Sequence, residues 1–261
     1  MEVKENLRVT LAQVDLVWEN PPQNRLNLEK QVLSLTGNTD VVVLPETFNT
    51  GFSVRTSELA EPMNGPTMKW LINLAHTTNL AIAGSLLIKA GGNYFNRFVF
   101  VTPDGGILFY DKRHLFSIGG ESDILTRGSS RMIVMYLGWR IALYICYDIR
   151  FPVWCRNLSD TDLMIFTANW PSSRVEVWNT LLKSRAIENQ VYVAGVNRTG
   201  TDGEGISYSG NSQIVNARGE VMSQHEINTS ELLTYSIPKI ELDTFRQKFP
   251  VAADADSFLI L

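Results

Sequence analysis

Apolar and polar positions alternate along this chain with two periods, and the two take turns. "LRVTLAQVD" switches face at every residue, as a strand does, while "RLNLEKQVLSL" places Leu and Val at helical spacing. "DVVVLPE" is an unbroken apolar run closed by Pro45, which predicts a strand buried on both faces. "GPTMKWLINLAHTTN" has a proline at the first helical position and an asparagine at its end, which predicts a helix with both termini punctuated. "LAIAGSLLIK" returns to strand. The middle of the chain predicts hairpins: "NYFNRFVFVTPDGGILFYDKRHLF" around Pro-Asp-Gly-Gly, and "MIVMYLGWRIALYIC" around Gly138. After Pro152 the pattern predicts a short helix, the strand "DLMIFTA", the long helix "VEVWNTLLKSRAIENQ" and the strand "VYVAGVN". A hairpin around Arg218-Gly219, the strand "LLTYSIP" and a closing helix containing Phe245 complete the series.

Helices alternating with buried strands, with added antiparallel pairs, predict an α/β fold. No linker or change of composition interrupts residues 1–261, so they read as a single domain. With 44% hydrophobic residues in 261, the chain has enough apolar side chain for a large core. The net charge is −4 and the basic residues are scattered, which gives nucleic-acid binding and membrane-surface attraction little support. No apolar run approaches the roughly 20 residues of a bilayer span. "MEVKENLRVTLAQ" lacks the blocks of a signal peptide, and two cysteines make no disulfide framework. These features point to the cytoplasm.

Three groups that carry chemistry follow predicted strands: Glu46 after "VVVLP", Lys112 in "YDKRHLF", and Cys146 after "IALYI". Ligands of α/β sheets gather at strand ends. Taken singly, each has a plainer reading as a solvated carboxylate, a surface ammonium or a core thiol. Taken together they make an acyl-transfer set. The thiolate is the nucleophile, a shielded carboxylate moves its proton, and a cation stabilises the tetrahedral oxyanion. Pro152 predicts a helix start just past Cys146, whose dipole would assist the thiolate. His114 offers a competing Cys–His pairing with Cys146. His76 and His225 lack metal-ligand spacing. Cys155 falls in the expected helix and reads as packing. The glycine-bearing stretches contain no phosphate-binding pattern and read as turns.

The segments "LPETFNTGF", "YDKRHLF", "ICYDIRFPVWCRNL", "TANWP" and "SRAIENQVYVAGVNR" resemble, in order, those of the nitrilase (carbon–nitrogen hydrolase) superfamily, near its bacterial omega-amidase branch. The resemblance implies a four-layer α-β-β-α sandwich without a cofactor or metal, commonly a homodimer joined through outer helices. It implies Glu46 as general base and acid, Lys112 as the electrostatic member, Cys146 as nucleophile and Glu121 as a second glutamate near the site. The backbone N–H of Tyr147 would join Lys112 at the oxyanion. The expected substrate is the terminal carboxamide of a 2-oxo dicarboxylate monoamide, 2-oxoglutaramate or 2-oxosuccinamate. Such a substrate is anionic at its far end, so Arg174 is a candidate clamp, with Phe48 and Trp170 as candidate walls. Arg150, beside the nucleophile, is either structural or functional. A nitrilase, an N-carbamoyl hydrolase and a catalytically silent binding protein share the same motifs.

Overall fold

The computed structural model describes residues 3–259. In chain order its elements are β1 (Asn6–Gln13), α1 (Pro21–Leu33), β2 (Val41–Val43), α2 (Thr56–Leu59), α3 (Pro66–Thr78), β3 (Ala81–Ala90), β4 (Asn93–Val101), β5 (Ile107–Asp111), α4 (Glu121–Ile124), β6 (Ile133–Tyr136) and β7 (Trp139–Ile145). They continue with β8 (Leu163–Ala168), α5 (Val175–Asn189), β9 (Tyr192–Asn197), β10 (Thr199–Thr201), β11 (Ser207–Ser209), β12 (Gln213–Val215), β13 (Val221–Gln224), β14 (Glu231–Pro238) and α6 (Lys239–Lys248).

Two six-stranded sheets carry the molecule, ordered β14-β1-β2-β3-β4-β5 and β13-β12-β9-β8-β7-β6. Each has a parallel three-strand centre, β1-β2-β3 in one and β9-β8-β7 in the other, with antiparallel strands outside. The doubled order of elements along the chain is therefore two similarly built sheets. The apolar runs explain the layering. Val41, Val43, Ala81, Ala83, Phe98 and Phe100 face the second sheet. Their neighbours Val42, Ile82, Val99 and Val101 face outward, against Leu28 and Val32 of α1 and Met68, Leu71 and Leu74 of α3. A strand buried on both faces has to be apolar at every position, and β2 is. Fully burying each such Val, Ile or Phe contributes about 1.5–3 kcal/mol.

On the far side, α5 lies against the second sheet through Trp178, Leu182 and Ala186. Gly195 of β9 permits that approach, since a Cβ there would meet Leu182 at 2.6 Å and Trp178 at 2.8 Å. The order helix, sheet, sheet, helix is the four-layer sandwich expected. The hairpins form as predicted; the β6–β7 turn places both Leu137 and Gly138 at positive φ, as a tight two-residue turn requires. α3 starts at Pro66 and ends at Asn79 in the left-handed region.

The short helix expected after Pro152 is not there. Residues Cys146–Arg150 form a 3₁₀ turn, and irregular chain follows to β8. Asn157 accepts from Asp160 N at 3.0 Å and Thr161 N at 3.1 Å, a local turn that competes with helix. The helix dipole expected behind Cys146 is therefore missing. Cys155, in this turn region, is buried, and both cysteines are free.

Candidate active site

Four loops meet where the sheets face each other. Glu46 follows β2, Cys146 follows β7 and Asn169 follows β8, all at the carboxyl ends of central parallel strands, while Lys112 follows β5. Thr167 ties the sheets together here, its hydroxyl donating to Leu44 O at 2.8 Å. Lys112 continues the pairing of β4 with β5 by donating its own N–H to Asn96 O at 3.0 Å. That turns its side chain into the interior.

The Lys112 ammonium is fully buried between two carboxylates. Its Nζ lies 2.9 Å from Glu46 Oε1, and 2.9 and 2.7 Å from the two oxygens of Glu121. Asn96 Nδ2 donates to Glu46 Oε1 at 2.9 Å and to Glu121 Oε1 at 3.3 Å. Asn169 N donates to Glu46 Oε2 at 2.8 Å, and Phe116 N to Glu121 Oε2 at 2.6 Å. Burial pulls the lysine pKa down, but Glu121 and Glu46 outweigh it and hold the ammonium above its ordinary value. An unpaired charge in this position would cost several kcal/mol, so the neighbours are a requirement of the lysine being there.

Cys146 stands at φ +44°, a conformation that only a well-determined turn holds in a non-glycine residue. Burial pushes its thiol pKa well up, the Glu46 carboxylate pushes it further, and Lys112 opposes both. Burial and Glu46 outweigh Lys112, so the resting sulfur keeps its proton. A nucleophile here needs a base, and Glu46 is beside it.

Lys112, Cys146, Tyr147, Asn169 and Trp170 line a cavity of ≈ 340 Å³. Two guanidiniums stand in its wall. Arg150 lies over the Trp170 ring at 5.1 Å, and Arg174 over the Phe116 ring at 5.5 Å. Among the described residues, neither has a carboxylate partner and no Asp or Glu lines the cavity.

The structure thus brings Lys112, Cys146, Tyr147, Trp170 and Arg174 to one cavity, with Glu46 and Glu121 bonded to Lys112 behind its lining. Phe48 is a correction. It is fully buried in the outer core, 6.1 Å from the Trp70 ring and packed over Gly84. Its N–H donates to Ser85 O, which keeps residue 48 alongside β3 and turns it away from the cavity. Phe52, four residues later, is the wall instead. His114 is not beside the sulfur as a base; Asp148 Oδ1 lies 2.8 Å from its Nδ1, and Phe151 stacks on its ring at 3.7 Å. Asn96 and Asn169 escaped the sequence reading. Their signal was a polar residue inside or directly after a run otherwise committed to the core.

The description "carbon-nitrogen hydrolase" fits this combination of fold and site, and that family's model matches residues 8–247. The chain belongs to the carbon–nitrogen hydrolase family. It is 42% identical to the omega-amidase YafV of Escherichia coli (strain K12), over 97% of this chain and 98% of that one. It is 31% identical to the 2-oxoglutaramate amidase of Bacillus subtilis (strain 168), over 83% of this chain and 85% of that one. Among solved structures it resembles XC1258 of Xanthomonas campestris, a CN-hydrolase superfamily protein with an arsenic adduct in its active site. The identity there is 40%, the coverage 99% and 100%, and the TM-score 0.97.

Proposed function

We propose that this chain is an omega-amidase that hydrolyses the terminal carboxamide of a small 2-oxo dicarboxylate monoamide, 2-oxoglutaramate or 2-oxosuccinamate. The observation that carries this is one cavity that holds both kinds of group. Lys112 and Cys146 form its floor with Glu46 bonded to Lys112 behind them, and two guanidiniums without carboxylate partners among the described residues stand in its wall. The full-length similarity to omega-amidase YafV supports the same substrate class.

Glu46 takes the thiol proton as Cys146 Sγ bonds to the amide carbon, and charge collects on the carbonyl oxygen. Lys112 and the backbone N–H of Tyr147 stabilise that oxyanion. Protonated Glu46 passes its proton to the nitrogen, the C–N bond breaks, and ammonia leaves a thioester on Cys146. Glu46 then takes a proton from water, whose oxygen attacks the thioester. Collapse breaks the C–S bond, Glu46 returns the proton to sulfur, and the acid departs. Glu121 holds Lys112 between the two carboxylates throughout. Arg174 takes the far carboxylate of the substrate, with Phe52 and Trp170 as walls.

The test is ammonia release from a panel of amides, nitriles and N-carbamoyl compounds, with Cys146→Ala beside the parent. Acidic 2-oxo amides should lead the panel, and Cys146→Ala should be silent. A panel led by nitriles or N-carbamoyl compounds would transfer the reading to those activities. No turnover of any member would leave a binding protein.

We further propose that residues 1–261 act as one catalytic domain, in the cytoplasm, as a homodimer. No described helix is long and apolar enough to cross a membrane. Ile187 on α5 and Ile240 on α6 expose apolar side chains on the outer helical layer, which supports pairing there. Light scattering of the purified chain reads the oligomer; a monomer at working concentration would refute that part alone.

A further inference from the structure

Asp148, two residues past the proposed nucleophile, lines no part of the cavity and touches neither Glu46 nor Lys112, yet it is fully buried. Four donors converge on it. Oδ1 accepts from His114 N at 3.0 Å and lies 2.8 Å from His114 Nδ1. Oδ2 accepts from Ile145 N at 3.0 Å and from the Tyr110 hydroxyl at 2.8 Å. Tyr110 is in turn fixed, its oxygen accepting from Arg113 N at 3.1 Å and from Trp154 Nε1 at 3.0 Å. The Asp148 carbonyl also accepts from Phe151 N at 3.0 Å and from Cys155 Sγ at 3.2 Å.

The origin of these donors matters more than their number. Ile145 immediately precedes Cys146. Tyr110 and His114 bracket Lys112, two residues to either side. A single buried carboxylate therefore joins the end of β7 to the end of β5, the two pieces of chain that deliver sulfur and ammonium. It also closes the turn that holds Cys146 at φ +44°. Without that closure the N–H of Ile145 loses this acceptor, and the strained turn is free to relax.

We propose that Asp148 is a positioning residue: its carboxylate clamps the Cys146 turn to the Lys112 segment and so sets the sulfur's place against Lys112 and Glu46. Misplacement of reacting groups by about 1 Å costs on the order of 100-fold in rate. Asparagine has the shape of aspartate but only one acceptor oxygen. In Asp148→Asn the amide NH₂ must face either the Ile145 and Tyr110 donors or the His114 pair, so one half of the clamp opens.

This inference rests on Cys146 being the nucleophile. The measurements are kcat and KM on 2-oxoglutaramate, normalised to thiol titrated at Cys146, with thermal midpoints recorded alongside. Folded Asp148→Asn should lose about 100-fold in kcat while KM stays within about threefold. Tyr110→Phe removes one donor and should lose about fivefold in kcat. Alkylation of Cys146 by iodoacetamide should change in both variants, in the same order. A folded Asp148→Asn with kcat within about threefold of the parent overturns the proposal. So does a rise in KM with kcat unchanged. Should Asp148→Asn not fold, Tyr110→Phe and His114→Ala decide instead, and parent-like kcat in both overturns it. An active Cys146→Ala would sink the nucleophile reading, an outcome separate from any of these.

Discussion

The floor and the wall of the cavity treat charge in opposite ways. At the floor, Lys112 has two carboxylates and each carboxylate has further donors from Asn96, Asn169 or Phe116. In the wall, Arg150 and Arg174 rest on aromatic rings with no carboxylate partner among the described residues. Burial makes the difference. A fully buried ammonium needs partners from the protein itself, whereas a guanidinium open to water can wait for a ligand's anion. Under the proposed function, paired charge serves chemistry and unpaired charge serves selection.

The sharpest way to break that division is Lys112→Met. It leaves Glu46 and Glu121 buried without a counter-ion, and we expect turnover to fall by about 1000-fold or more. Urea unfolding should register a stability loss of about 3–5 kcal/mol. Activity near that of the parent would mean the floor is structural only. Glu121→Gln is milder: Lys112 keeps Glu46, but the side that grips it with two oxygens is weakened. Turnover should drop by about ten- to a hundredfold with KM little changed; a change confined to KM would move Glu121 to the selection end. For the wall, Arg174→Ala should raise KM for an acidic amide about tenfold, the worth of one charge-assisted contact, and leave kcat alone. Equal KM changes for acidic and neutral amides would remove Arg174 from the clamp.

The prediction with no expected effect on turnover concerns a third way of burying a titratable group. The His225 side chain is buried and neither nitrogen makes a hydrogen bond among the described residues, although Glu231 Oε1 lies 3.5 Å from Nδ1. Desolvation lowers its pKa from 6.5 to about 4. Lys112 is buried charged because it is paired; His225 is buried neutral. A depressed pKa contributes stability that is present above the unfolded value and lost as pH falls through the folded one. Unfolding free energy should therefore decline by about 3 kcal/mol between pH 6.5 and pH 4 from this residue. His225→Phe should flatten that part of the pH curve without touching turnover at neutral pH. An unchanged curve would show that the imidazole is not titrating there.

Most of the fold was legible in the sequence because periodicity and burial are local statements. "DVVVLPE" is apolar at every position, and β2 is covered on both faces. Gly138 and Arg218-Gly219 mark turns that form where expected. Glu46, Lys112 and Cys146 were legible as residues at strand ends. The failures were of another kind. Pro152 looked like a helix start, but Asn157 captures the backbone that a helix would need. Phe48 looked like a wall, and its N–H bond to Ser85 O keeps it beside β3. Neither outcome depends on composition; one rests on a local side-chain bond, the other on a partner distant in sequence.

By itself the sequence determined the elements, their two periods, and which side chains stand at strand ends, since those follow from a chain's own alternation. Only the tertiary structure decided that 66 residues of separation between Glu46 and Lys112 end in a 2.9 Å contact. It alone decided that Asn96 reaches both glutamates, and that Asp148 joins two strand ends. Hydrogen bonds and ion pairs act over a few ångströms in space, and neighbours at that distance are chosen by how sheets pack, not by order along the chain.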